Sequence, residues 1–205
     1  MIKKGCKICG ISDPKTLTYI VNHPQPPRFV GFIVNWKASP RYVEPDRLKE
    51  LLSIDKKKSK YVAVIVKNDE STLEKIKDLP FDYYQMYDCS AEEIIKIKEK
   101  YNKKIITALT IENKEDVKKY KFYENISEII LFDSKGYEKS ISFDHNLLDE
   151  VEDHIEKMIA GNIKIEDVTD FKNKHLILDI SGNLESSKGV KDINKIDKFL
   201  NTVHN

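Results

Sequence analysis

No apolar run in this sequence approaches the roughly 18 to 20 residues that a membrane-spanning helix needs, which speaks against an integral helical membrane protein. Nor is there a charge surplus: 35 Lys+Arg against 34 Asp+Glu leave a formal net charge of +1. A nucleic-acid binder usually carries a basic excess or a basic stripe, so that class is set aside. The one short basic run, Lys56-Lys57-Lys58 with Lys60, lies between a helix-like and a strand-like apolar stretch and reads as a solvated loop. Cysteine is scarce. Three residues, an odd number without framework spacing, fit a reducing compartment. No apolar signal-peptide core follows Met1-Ile2-Lys3-Lys4-Gly5, so the expectation is a cytoplasmic protein. Metal ligands are also missing. The five histidines (His23, His145, His154, His175, His204) show no ligand-like spacing, and Cys6-x-x-Cys9 is at most half a zinc site. A redox pair usually opens a helix, whereas Cys9 closes a strand; a plain buried core cysteine is the competing reading.

What is present is a mixture typical of a globular chain, with 40% apolar and 34% charged residues in 205. That length allows one domain with a sizeable core and is short for two. With no linker or low-complexity tract, a single domain over 1–205 is expected. Short β-branched runs recur at 7–9, 29–34, 61–66, 83–87, 104–109, 128–132, 157–160 and 176–180, their starts about 20 to 32 residues apart. That is roughly one βα unit. Runs such as Tyr61-Val-Ala-Val-Ile-Val66 are apolar nearly throughout, as suits strands of a parallel sheet covered on both faces.

Helix signals fill the gaps: Ser12-Asp13-Pro14, Glu44-Pro45-Asp46, a capping-box pattern at Ser90-Ala91-Glu92-Glu93, and an amphipathic 193–203 with Ile193, Ile196, Phe199 and Leu200 on one face. The seventh unit is weakest, since 166–171 allows only a very short helix. About eight strands alternating with about eight helices predict an α/β fold of the compact (β/α)8 TIM-barrel type. An open doubly wound sheet is the competitor, because alternation alone does not show closure.

In such a barrel, function collects at the C-terminal ends of the strands. Strand one ends in Lys7-Ile8-Cys9-Gly10. The second unit reads Gly31-Phe32-Ile33-Val34, then Ser39-Pro40-Arg41-Tyr42-Val43. Further strand ends carry Leu131-Phe132-Asp133-Ser134, Phe143-Asp144, Ile159-Ala160-Gly161 and Asp179-Ile180-Ser181, followed by Glu185 and Lys191-Asp192. This ordered set, running from the first strand to the last helix, strongly resembles the phosphoribosylanthranilate isomerase family of tryptophan biosynthesis.

The resemblance implies an enzyme, an aldose–ketose type of intramolecular oxidoreductase that needs no cofactor. Its reaction is an Amadori rearrangement of N-(5'-phosphoribosyl)anthranilate, an aminoaldose, to an aminoketose. A general acid must protonate the furanose oxygen to open the ring to a Schiff base, and a general base must take the C2 proton. By resemblance Cys9 is the base and Asp133 the acid. Asp133 is then expected to be held protonated by a partly apolar site, and Cys9 to need thiolate character from nearby donors or cations. Arg41 matches an arginine that grips the anthranilate carboxylate, Asp179 an aspartate facing the amine, and Gln85 and Tyr87 further substrate contacts. Phosphate is expected on backbone amides at Gly161-Asn162 and Gly182-Asn183. The expected partner is the small phosphorylated sugar–anthranilate substrate, with no metal, nucleic acid or membrane, and monomer and homodimer stay open.

Several positions depart from the family's pattern. Gln-Leu-His-Gly after strand four is here Gln85-Met86-Tyr87-Asp88. The glycine-rich stretch after strand six reads Gly136-Tyr137-Glu138-Lys139-Ser140, and His145 replaces a tryptophan. Two glycines of the phosphate loops are Asn162 and Asn183, asparagine being a residue that tolerates positive φ. Tyr87, Tyr137 and His145 therefore suggest an alternative, a related sugar-phosphate isomerase with a changed aromatic pocket. A non-catalytic metabolite-binding barrel is the third reading.

Overall fold

A computed structural model describes residues 2–134 and 143–205. The altered stretch with Gly136 and Tyr137 lies outside the described residues. Eight parallel strands close into one barrel in sequence order: β1 (Cys6–Cys9), β2 (Phe29–Ile33), β3 (Lys60–Val66), β4 (Tyr83–Tyr87), β5 (Lys104–Ile111), β6 (Ile129–Ser134), β7 (Lys157–Ile159) and β8 (Leu176–Ile180). Closure is made by β8 pairing with β1, Lys7 standing beside Asp179. The open-sheet alternative is thereby excluded.

Period-two alternation sorts each strand's side chains between two cores. Phe29, Val62, Val64, Tyr83, Ile106, Leu131, Met158 and Ile177 fill the barrel interior. Their neighbours, such as Cys6, Ile8, Val30, Ala63, Tyr84, Ile130 and Leu178, face the helices outside. Cys6 and Cys9 thus lie on opposite faces of β1, both as free thiols, which removes them as a redox pair.

Helices α1 (Pro14–Asn22), α2 (Pro45–Leu52), α3 (Glu70–Ile76), α4 (Ala91–Tyr101) and α5 (Lys114–Lys118) follow the first five strands, and α6 (Ile193–His204) closes the chain. Their starts obey the local chemistry. Asp13 accepts from the Thr16 amide ahead of Pro14, and Ser90 and Glu93 form the reciprocal capping box. On α6, Ile196, Phe199, Leu200 and Val203 are buried, the expected face.

The expectation of about eight helices is corrected in units six and seven. Residues His145–Glu150 and Glu166–Phe171 form 3-10 turns of six residues each. Segments this short gain too few i→i+4 bonds to repay helix nucleation. After β8 the chain makes a 3-10 turn (Gly182–Leu184) and a small antiparallel pair, β9 (Glu185–Ser187) with β10 (Val190–Lys191), before α6. Strands β5 and β6 run two residues further than expected because Thr110 pairs with Asp133 and Ile111 with Ser134. That extension lifts Asp133 to the rim. Among the described residues, no helix is long and apolar enough to cross a membrane.

Candidate active site

At the C-terminal ends of the strands opens a cavity of about 240 Å³ whose walls include Cys9, Arg41, Tyr87, Asp133, Asp179 and the two loops 160–163 and 181–183. One wall belongs to β8, β1 and the β2–α2 loop and is rich in charge. Lys7, fully buried, donates to Asp179 Oδ2 at 2.7 Å. Asp179 Oδ1 has no hydrogen-bond partner although it is buried. Arg41 is bound to Glu185 through two parallel contacts, Nε to Oε1 at 2.5 Å and Nη2 to Oε2 at 2.9 Å. Lys191 adds a bond to Glu185 Oε1 at 2.9 Å and another to the Ser181 carbonyl at 3.0 Å. Burial raises the Glu185 carboxyl, but Arg41, Lys191 and the Gly189 amide outweigh it and hold the group at about 2. Gly10, with φ +75°, turns the chain where a Cβ would sit 2.5 Å from Arg41 Cδ, so the arginine lies across glycine backbone.

The opposite wall belongs to β4 and β6 and is sparse. The Tyr87 hydroxyl donates to Asp133 Oδ2 at 2.8 Å, and the Ser134 amide donates to Asp133 Oδ1 at 2.8 Å. Below them Gln85 Nε2 donates to Tyr87 Oη at 3.3 Å. Burial pushes the Asp133 carboxyl up to about 6, against the pull of the Tyr87 hydrogen bond. The Cys9 thiol is raised too: burial outweighs the nearby Lys7 ammonium, which favours the thiolate. Cys9 therefore holds its proton more firmly than an ordinary thiol, the opposite of the thiolate character expected from the sequence.

The third side is formed by loops. Gly161 and Asn162 have φ of +95° and +52°, two consecutive left-handed residues after β7. A Cβ at Gly161 would collide with Ser134 Oγ at 2.7 Å. Asn162 thus takes the conformation expected of it. Asn183 does not; it lies in the 3-10 turn, and its Nδ2 donates to Asn162 Oδ1 at 3.3 Å and the Ile163 carbonyl at 2.8 Å, fastening the two loops together. Asp88, at the position of the family glycine, is also left-handed, with φ +52°.

The structure brings Cys9, Asp133, Arg41, Tyr87, Asp179, Gly161, Asn162, Gly182 and Asn183 to one cavity. Two expectations need correction. Gln85 is fully buried beneath Tyr87 and is not in the cavity wall, because it lies two residues earlier on the same face of β4 and so one level deeper. His145 is packed edge-on between Phe143 and Phe171, with ring centroids 4.8 and 5.3 Å away, and also misses the wall. Two residues escaped the sequence reading. Trp36 sits in the cavity wall just past β2, where its strand-end position was the available signal, and Lys7 lies buried one level below the wall on the inward face that Cys9 shares by simple alternation.

A sequence model of the family described as N-(5'phosphoribosyl)anthranilate (PRA) isomerase matches residues 6–202, nearly the whole chain. The chain belongs to that family. An N-(5'-phosphoribosyl)anthranilate isomerase of Agrobacterium fabrum is 32% identical, with 99% of this chain and 96% of that protein covered. One from Rhizobium leguminosarum bv. trifolii is 30% identical over 98% and 95% of the two chains. Among solved structures, the phosphoribosyl anthranilate isomerase of Thermotoga maritima superposes with a TM-score of 0.84 at 23% identity, covering 98% of each chain. A phosphoribosyl anthranilate isomerase solved in complex with reduced 1-(o-carboxyphenylamino)-1-deoxyribulose 5-phosphate gives 0.83 at the same identity and coverage. These structural likenesses carry the barrel fold; the family assignment rests on the sequence.

Proposed function

We propose that this isomerase converts N-(5'-phosphoribosyl)anthranilate to the corresponding aminoketose with Asp133 as general acid and Cys9 as general base, without a cofactor. The observation that carries the reading is the cavity itself, with an up-shifted carboxylic acid on one wall and a thiol on the other. A carboxyl titrating near 6 keeps a usable protonated fraction at neutral pH, and a bound substrate that excludes water raises it further. Protonation of the furanose oxygen by Asp133 opens the ring, and the resulting Schiff base is the electron sink for loss of the C2 proton to Cys9. No external electron acceptor is required in that sequence.

Arg41 keeps donors beyond the two held by Glu185, and we assign these to the anthranilate carboxylate. The unpartnered Asp179 Oδ1 suits the substrate's anilinic N–H. Ile33, Trp36, Val64 and Val66 offer an apolar side for the aromatic ring. The left-handed Gly161-Asn162 turn, tied to the 182–183 backbone through Asn183, is the proposed phosphate cradle. This is the kind of ligand held by the family member solved with a reduced deoxyribulose-phosphate analogue. Of the residues behind the altered-pocket reading, Tyr87 alone lines the cavity among the described ones, and its hydroxyl serves the acid, which favours the family reaction.

The test is complementation of a tryptophan auxotroph that lacks this isomerase, with Cys9→Ala as the paired control. Growth with the wild-type gene alone is the expected result. A well-expressed wild-type protein that gives no growth would reject the substrate assignment.

A further inference from the structure

The base wall contains more charge than binding a substrate needs. Lys7 is wholly buried inside the barrel, among mostly aliphatic and aromatic side chains. A buried ammonium is retained only where its donors are met by charge or strong acceptors. Asp179 Oδ2, 2.7 Å away, meets one of them. The strand register says where another goes. Lys7 stands beside Phe29 of β2 and Asp179 of β8, and two residues further along the same face Cys9 stands beside Gly31.

Gly31 does not need to be glycine for its backbone, since its φ lies outside the left-handed range. It needs the space. A Cβ built there would lie 3.0 Å from Cys9 Sγ, 3.1 Å from Lys7 Cε and 3.3 Å from Lys7 Nζ. The missing methyl is therefore the gap in which the thiol and the ammonium meet.

The wider cluster has a matching charge count. Lys7, Arg41 and Lys191 are the cations, and Asp179 and Glu185 the carboxylates. Three against two leave a single positive charge, and a Cys9 thiolate cancels it.

Taking Cys9 as the base, we infer that Lys7 is its positioning residue: anchored on Asp179, it extends an N–H into the Gly31 gap to hold the Cys9 thiolate. The groups that face the sulfur are Lys7 on its own strand, Asp179 on β8, Lys191 on β10, Arg41 on the β2–α2 loop and Tyr87 across the barrel; β2 contributes only Gly31. Lys7, Lys191 and Arg41 favour the thiolate and Asp179 opposes it, with Lys7 the largest of the favourable influences. The C2 proton passes to the thiolate as a neutral thiol forms, and Lys7 then relaxes onto Asp179 alone. The sulfur is thus a base whose strength depends on a lysine that never touches substrate.

The experiment is the pH dependence of Cys9 alkylation by iodoacetamide, read on the Cys9 peptide by mass spectrometry in wild-type and Lys7→Met proteins. The buried Cys6 and Cys89 are internal controls. The expected result is a Cys9 ionisation midpoint at least about one pH unit higher in Lys7→Met. Turnover should fall about 100-fold with KM changed less than about threefold, and the rate–pH profile should move with the midpoint. An unmoved midpoint in a folded Lys7→Met protein overturns the inference. If Lys7→Met does not fold, Gly31→Ala replaces it: the added methyl separates sulfur from ammonium while every charge remains. A raised midpoint in Gly31→Ala supports the inference and an unchanged one overturns it. Because the midpoint is measured without substrate, it reports on Lys7 even if Cys9→Ala were to retain turnover, an outcome that would reject only the base assignment.

Discussion

The two ends of the barrel interior use the same alternating strand positions for opposite purposes. At the N-terminal end Phe29 and Tyr83 meet edge to face, with ring centroids 5.3 Å apart at 85°. Arg28 lies 4.8 Å over the Phe29 ring and Lys104 5.7 Å over the Tyr83 ring, and Arg28 is also paired with Glu156. Aromatic surface and charge there satisfy one another. At the C-terminal end the same faces of β1, β4, β6 and β8 carry Cys9, Tyr87, Asp133 and Asp179 around a cavity, and polar atoms are left wanting. Asp179 Oδ1 has no partner, and Asp133 and Cys9 are raised by burial. One end is closed for stability, the other held open under electrostatic strain. Substitutions at the two ends should therefore separate stability from turnover.

The largest stability effect is expected at the closed end. Phe29→Ala removes a fully buried ring and should destabilise by about 3 to 5 kcal/mol in chemical denaturation. Turnover measured well below the melting temperature should stay within a few fold of wild type. A large loss of turnover in the folded variant would break the division between the ends.

Asp133→Asn should do the reverse. Turnover is expected to fall by about 10² to 10⁴-fold, while stability rises. The wild-type carboxyl titrates near 6 when folded against 3.8 ordinarily, so ionising it opposes folding. That penalty is absent below about pH 4, grows between the two values and is complete above about pH 6. The stabilisation of Asp133→Asn, on the order of 1 to 3 kcal/mol, should thus appear at pH 8 and vanish near pH 4.

Tyr87→Phe is subtler. Its hydroxyl hydrogen bond favours the Asp133 carboxylate, so removing it should move the acid's titration above 6 and carry the alkaline limb of the rate profile to higher pH. A profile that moves to lower pH would contradict the direction of that bond. The smallest effect belongs to Arg28→Met. Its ion pair and ring contact are partly exposed and should contribute about 1 kcal/mol or less, with turnover untouched.

Much of this contrast was legible before the structure. The recurring β-branched runs located all eight strands, and strand-end motifs located Cys9, Asp133, Arg41 and Asp179 at one rim. What escaped had physical causes. The polar ends of β5 and β6 hid two further ladder pairs, because Thr110, Asp133 and Ser134 do not look like strand residues until they are paired. Gln85 read as a substrate contact because it matches the family's glutamine after strand four, although alternation puts it a level below the cavity wall. Lys7 was visible inside an otherwise buried strand, but its partner is 172 residues away, and only barrel closure brings Asp179 beside it. The pairing of Arg41 with Glu185 likewise depends on the β9–β10 turn, whose short polar strands carry no periodic signal.

The most direct test of the account is turnover of N-(5'-phosphoribosyl)anthranilate by purified Cys9→Ala, measured beside its melting temperature. The account predicts a loss of at least about 10²-fold with a melting temperature close to that of the wild type, since Cys9 is a small side chain at the cavity wall. Turnover within a few fold of wild type in the folded variant would contradict it and remove Cys9 from the reaction.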